Sequence, residues 1–121
     1  MAIEVVNLAQ KFSLISDHWQ PRIAGEINDS YLKIVKLQGE FVWHQHETED
    51  ELFLVISGLL TIKLRDGAVT VGPGEFVIIP HGVEHCPVAA EETQVVLLEP
   101  RTTLNTGEVA NERTVADPQR I

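Results

Sequence analysis

The sequence predicts an all-β domain closed into a sandwich or barrel. Three observations carry that prediction. Short apolar segments rich in Val, Ile, Leu and Phe recur from residue 31 to residue 99, each about strand length. Turn residues punctuate them, at Asp66-Gly67, Gly72-Pro73-Gly74 and Pro80-His81-Gly82. Only one stretch reads as a helix, and it lies near the N-terminus. Closely spaced strands with such punctuation argue for stacked or rolled antiparallel sheet rather than for βαβ units.

In chain order, Asn7 and Gln10 form a helix-start signal, as N-cap and N3 residues. The helix expected there spans 8–15 and presents Leu8, Phe12 and Ile15. Residues 17–30 hold Pro21, Gly25, Asn28 and Asp29 and read as loop with room for one short strand. Strands are expected at 31–38, 40–46, 51–57, 59–65, 68–71, 75–79, 84–89 and 93–99. Asp66-Gly67 is the strongest hairpin signal among them. After Pro100 the composition changes. Residues 101–107 read as an ordered turn, and 108–121 are mostly polar, expected to lie across the barrel or a neighbouring subunit.

Composition sets outer bounds. The 121 residues suit one domain, and 44% hydrophobic content suits a globule with a genuine core. Nine Lys and Arg against eighteen Asp and Glu give a formal charge of −9. That balance argues against a nucleic-acid partner bound through a basic face. No apolar run is long enough for a membrane span, and no N-terminal signal pattern occurs. The single cysteine, Cys86, excludes an internal disulfide framework and fits a cytoplasmic location. It is expected to be a buried, inert thiol.

The chemistry concentrates in two segments. His44-Gln-His46 is followed by Glu51, which opens an apolar strand ending at Gly58. Gly74, Pro80 and Gly82 lead to His85. Residues two apart on a strand share a face, so His44 and His46 point the same way. Pairing of the Glu51 strand antiparallel to 40–46 would bring the carboxylate to them. Glu51 is in phase with Phe53 and Val55, so it faces inward and needs a partner. Imidazole and carboxylate together suit a divalent first-row metal. Glu47, Glu49 and Asp50 read as a solvated turn, and His18 and His81 as ordinary surface histidines. Cys86 follows His85 directly and should point away from it.

These segments resemble the two cupin motifs, over about residues 30 to 100. In the family's first motif five residues separate a glycine from a His-x-His pair; four separate Gly39 from His44. Glu51 follows after four residues and Gly58 after six more, as in the family. Gly74, Pro80, Gly82 and His85 fit the second motif throughout. A family asparagine four positions after that histidine is Ala89 in this chain, at a position that is not a ligand. The resemblance implies a jelly roll, the double-stranded β-helix barrel of cupins, with a short N-terminal helix. It implies one domain over 1–121: helix and loop to 29, barrel core 30–100, tail 101–121. It also implies one divalent metal ion (iron, manganese, nickel or zinc) held by His44, His46, Glu51 and His85. Small cupins often form homodimers, and pairing of exposed sheet edges would be a natural route.

Four protein ligands leave open positions on a six-coordinate ion, the arrangement of a catalytic centre. Phe53 and Val55 should line the barrel beyond the metal, with Pro87 on the face of His85. Trp19, Arg22, Tyr31, Lys33 and Lys36 are candidates for the rim, where a cation could hold a carboxylate or phosphate. No serine or cysteine nucleophile with an adjacent base and no phosphate-binding glycine loop is present. The leading expectation is a metal-dependent enzyme on a small oxygen-rich molecule, as a dioxygenase or a sugar isomerase, epimerase or lyase. A small-molecule binding or sensing cupin without turnover is the alternative, and a storage role is the third. Chains of this pattern resemble those labelled mannose-6-phosphate isomerase-like, but a shared barrel does not fix a function.

Overall fold

A computed structural model describes residues 3–121. Helix α1, Leu8–Ser13, begins where the Asn7 side chain accepts the Gln10 backbone N–H at 3.0 Å. It ends two residues earlier than expected, at Leu14, whose N–H returns to Lys11. Phe12 and Ile15 are nonetheless buried, against Ile34 and Val96 on the outer face of the sheet.

Seven strands follow: β1 (Arg22–Ile27), β2 (Ser30–Glu40), β3 (Glu51–Ser57), β4 (Leu60–Leu64), β5 (Gly67–Val71), β6 (Phe76–Ile79) and β7 (His85–Pro100). All pairings are antiparallel, in the order β1-β2-β7-β3-β6, with β4 joined to β7 and β5 to β4. This is an antiparallel β-barrel with one short helix, as the sequence predicts. The inner face of the sheet carries Val35, Leu37, Phe53, Val55, Leu60, Ile62, Val95 and Leu97 as one core. The period-two alternation of these residues places them there. Among the described residues no helix is long and apolar enough to cross a membrane.

Two expectations about strands fail. Segments 84–89 and 93–99 are one strand, because β7 changes partners rather than stopping. Its start pairs β4 and the end of β2; its remainder lies between β2 and β3. The strand expected over 40–46 does not form. A bulge between Leu37 and Gly39, with Gly39 at φ +89°, lets the chain leave the sheet after Glu40. Only His44 returns, to an isolated bridge with His85, N–H to O at 3.0 Å and 2.9 Å. Hence β3 does not pair with 40–46; its neighbours are β6 and β7.

Gly58 and Gly74 both have positive φ, at +91° and +79°, but their surroundings differ. A Cβ on Gly58 would come within 2.8 Å of Thr93 Cα and 2.9 Å of the Glu92 carbonyl, whereas one on Gly74 meets nothing. Gly74→Ala is therefore expected to cost only the left-handed backbone penalty, about 1–2 kcal/mol. Gly58→Ala must also push apart two strands and should cost roughly 3–5 kcal/mol. Urea unfolding of the two variants side by side measures the difference.

Candidate metal centre

The ends of separate elements deliver four donors to one point. His44 and His46 lie on the segment that leaves β2, His85 opens β7, and Glu51 opens β3. All four side chains are buried, and one donor atom from each lies within 4.8 Å of every other. The shared face expected of His44 and His46 is found even though no strand forms there. Both are buried, while Gln45 between them is only half-buried.

Hydrogen bonds set the tautomers. His44 Nδ1 lies 2.9 Å from the Val42 carbonyl, and His85 Nδ1 lies 2.8 Å from that of Val83. A carbonyl only accepts, so each Nδ1 carries the proton and donates it. In the neutral ring Nε2 is then a bare lone pair. His85 Nε2 sits 3.6 Å from Glu51 Oε1, and His46 Nε2 sits 3.4 Å from the same oxygen. These three atoms are buried and have no hydrogen-bond partner among the described residues. Acceptors crowded together in a dry site repel one another unless a cation lies between them. A divalent ion answers that demand, and the donor set of three imidazoles and a carboxylate fits one.

The pKa directions follow from the same packing. Burial, reinforced by the charge of His85, pushes His44 down to about 4. Burial alone would raise Glu51. The neighbouring Glu99 carboxyl and the His46 and His85 rings beside it overcome that and hold it well below the usual carboxylate range.

Glu99 was not legible as part of this site. It stands on β7, two residues beyond the inward-facing Leu97, and burial with the neighbouring Glu51 carboxylate pushes it well above the usual range. Lys33 Nζ lies 2.9 Å from Glu99 Oε1, and both side chains are sealed from solvent. Lys33 is therefore not a rim residue. Its place in phase with Val35 and Leu37 was the overlooked signal.

The other rim candidates separate in the same way. Arg22 is held by both oxygens of Asp17, at 3.0 Å each. Lys36 donates to the Ile15 carbonyl at 2.6 Å. Tyr31 lies under Arg120, 5.4 Å from its guanidinium carbon. Only Trp19 reaches the site. It lines an apolar cavity of about 40 Å³ with Pro21, Val35, Leu37, Phe41, Phe53, Pro87, Leu97 and Asn105, against His44 and Glu51. That is room for roughly three waters. Phe53 and Pro87 line it as expected, whereas Val55 lies in the core. On the other side, His46 borders a polar cleft with Glu47, Glu49, Thr102 and Glu108.

The tail forms part of this surround. Gly107, at φ +59°, sits so close to the Gln45 carbonyl and the His44 ring that a Cβ would collide with the carbonyl. The remaining titratable candidates stay outside. His18 pairs with Glu92 and His81 with Asp50, both at 2.8 Å. Cys86 is buried with its thiol pushed up by burial and by Glu40, away from the cluster, as expected.

With the barrel and its donor cluster described, the class is plain: an antiparallel β-barrel with a His-His-Glu-His group at one end of its interior. Residues 32–109 match the Cupin_2 cupin-domain family, and the chain belongs to that family. The crystal structure of a cupin-2 domain containing protein from Shewanella frigidimarina is similar at a TM-score of 0.79 and 49% identity, covering 80% of this chain and 95% of that one. The uncharacterized protein YdbB of Bacillus subtilis is 36% identical over 61 residues, 50% of this chain and 54% of its own. Acireductone dioxygenase of Bacillus subtilis is 29% identical over 75 residues, 58% of this chain and 42% of its own. The chain thus spans about half the length of the curated relatives it matches.

Two outcomes are expected. In metal-free protein His44 refuses, between pH 6.5 and about 4, a proton that the unfolded chain binds. Its contribution to stability is thus complete above pH 6.5 and is lost as pH falls toward 4, on the order of 3 kcal/mol in all. Unfolding midpoints across that range read this out, with His44→Gln as the comparison. Lys33→Met should cost about 1–3 kcal/mol by leaving the buried Glu99 carboxyl without its partner, whereas Lys33→Met with Glu99→Leu should recover most of it. Denaturant titration of the single and double variants tests the coupling.

Proposed function

We propose that this cupin is a metal-dependent enzyme acting on a small oxygen-rich molecule, of dioxygenase or of sugar isomerase, epimerase or lyase type. One observation carries the reading: His46 Nε2, His85 Nε2 and Glu51 Oε1 are buried and unpartnered among the described residues, with both nitrogens within 3.6 Å of the oxygen. A closed structural site would have no need of the adjoining cavity, which borders His44 and Glu51. Iron, manganese, nickel or zinc held by His44, His46, Glu51 and His85 would act as a Lewis acid with positions open to ligand oxygens.

The protein's own residues do the rest. The Val42 and Val83 carbonyls fix two imidazoles in the binding tautomer. Trp19, Phe41, Phe53 and Leu97 give the cavity an apolar lining, which strengthens polar contacts made against it. Glu99, anchored by Lys33, is buried beside Glu51, the carboxylate that faces the histidines. The partial similarity to a dioxygenase supports oxygen chemistry as the first reaction to assay.

Plasma mass spectrometry of protein purified without added metal is the first test. Near-stoichiometric iron is expected if the chemistry is oxygenation, and dioxygen uptake over a panel of diols is then the assay. Zinc, manganese or nickel directs the assay to sugar acids. His46→Ala should lose the ion and at least a hundredfold in turnover while keeping its far-UV spectrum. Added metal at a hundred times its Kd should stabilise wild type by about 2.7 kcal/mol. A wild type that holds no metal and gains no stability from it would remove the reading. Ligand-dependent stabilisation without any product would leave a binding or sensing cupin instead.

A further inference from the structure

The cavity beside the cluster has an apolar wall, and one cation without a carboxylate partner among the described residues stands against two of its lining rings, Trp19 and Phe41. Seven of the nine Lys and Arg side chains lie within 4 Å of a carboxylate among the described residues: Arg22, Lys33, Lys36, Lys63, Arg65, Arg101 and Arg120. Of the other two, Lys11 sits on α1. Arg113 has its guanidinium carbon 5.4 Å from the Trp19 ring centroid and 5.9 Å from that of Phe41. In a chain of net charge −9, a cation without a carboxylate at this place is informative.

The position of Arg113 is built. Asn105, itself a wall of the cavity, donates to the Arg113 carbonyl at 2.7 Å and accepts the Val115 N–H at 2.8 Å. The Arg113 N–H is taken by the Asn111 side chain at 2.8 Å. Beneath it, Trp19 and Phe41 stack with centroids 4.7 Å apart, and the indole N–H donates to the Gln38 carbonyl at 2.8 Å. Trp19 holds this place at φ +62°, which a bulky side chain adopts only when its surroundings impose it. One ring separates the cation from the cluster, since the Phe41 and His44 centroids are 5.4 Å apart. An arginine stacked on an aromatic face keeps its in-plane N–H fork for a planar carboxylate.

We propose that Arg113 is the anion-binding residue of this cavity and that the ligand is a short organic acid. Its carboxylate meets the guanidinium at the mouth, its carbon chain lies against Trp19 and Phe41, and an oxygen group at its other end reaches the His44–Glu51 cluster. A short carbon chain suits the apolar wall and the small cavity better than a hydroxylated sugar does. The proposal rests on the metal-enzyme reading for the far end of the ligand and on Arg113 alone for the near end.

Isothermal titration with the dicarboxylates from malonate to adipate, each against its monomethyl ester, tests it. Wild type should bind the best-fitting diacid about tenfold more tightly than its ester. Arg113→Gln should erase that preference while leaving metal content and melting temperature unchanged, and Arg113→Lys should keep part of it. An unchanged preference in Arg113→Gln, or no preference for any diacid in wild type, overturns the proposal. Repeating the titrations after chelation separates the two readings. A preference that survives in protein shown to bind no metal leaves Arg113 as the anion site and removes the metal reading.

Discussion

Strand β7 hydrogen-bonds to β2, β3 and β4 along sixteen residues, and no other strand could be removed at comparable cost. Because it serves both walls of the barrel, it fixes their separation, and with it the gap in which the donors meet. His85 stands at its first position and Glu99 near its last. The two-bond bridge from His85 to His44 then ties a segment outside the sheet to this strand. Backbone pairing thus places three imidazoles that otherwise have no reason to be buried.

The arrangement opposes ordinary packing preferences. His46 Nε2, His85 Nε2 and Glu51 Oε1 lie buried without hydrogen-bond partners among the described residues. Each such group costs about 1–3 kcal/mol, so the apolar core around them must stabilise a site that by itself weakens the fold. Natural chains tolerate such conflicts where function lies. The buried Lys33–Glu99 pair belongs to the same conflict, since it adds geometry behind Glu51 while contributing little net stability.

The barrel was legible because its signals are local. Alternation in 51–57, the Asp66-Gly67 turn and the Asn7 cap each act within a few residues. The donors were legible because their types and spacing occur together. What escaped depends on contacts between distant segments. The 40–46 strand was lost to a bulge at Gly39, whose effect is seen only against β7. The continuity of β7 was hidden because the polar Glu91 and Glu92 read as a break, although the strand merely exposes them there. Asn105 lies in a stretch that reads only as a turn and Arg113 in a tail whose composition says only that it is polar, while Lys33 reads as a rim residue because its partner Glu99 is sixty-six residues away.

The roof over His44 is laid by residues that follow directly from β7, with Gly107 pressed on the Gln45 carbonyl. Strand and roof are therefore one mechanical piece. A slip of β7 by two residues would return every side chain to its own face, so the alternation of faces alone does not forbid it. The same slip would carry the roof about 7 Å along the strand direction. The bulges at Leu37/Gly39 and Val55/Ser57 interrupt the two long ladders and deny β7 that freedom. They act as detents, holding the mouth in alignment where the alternation of faces alone would be indifferent.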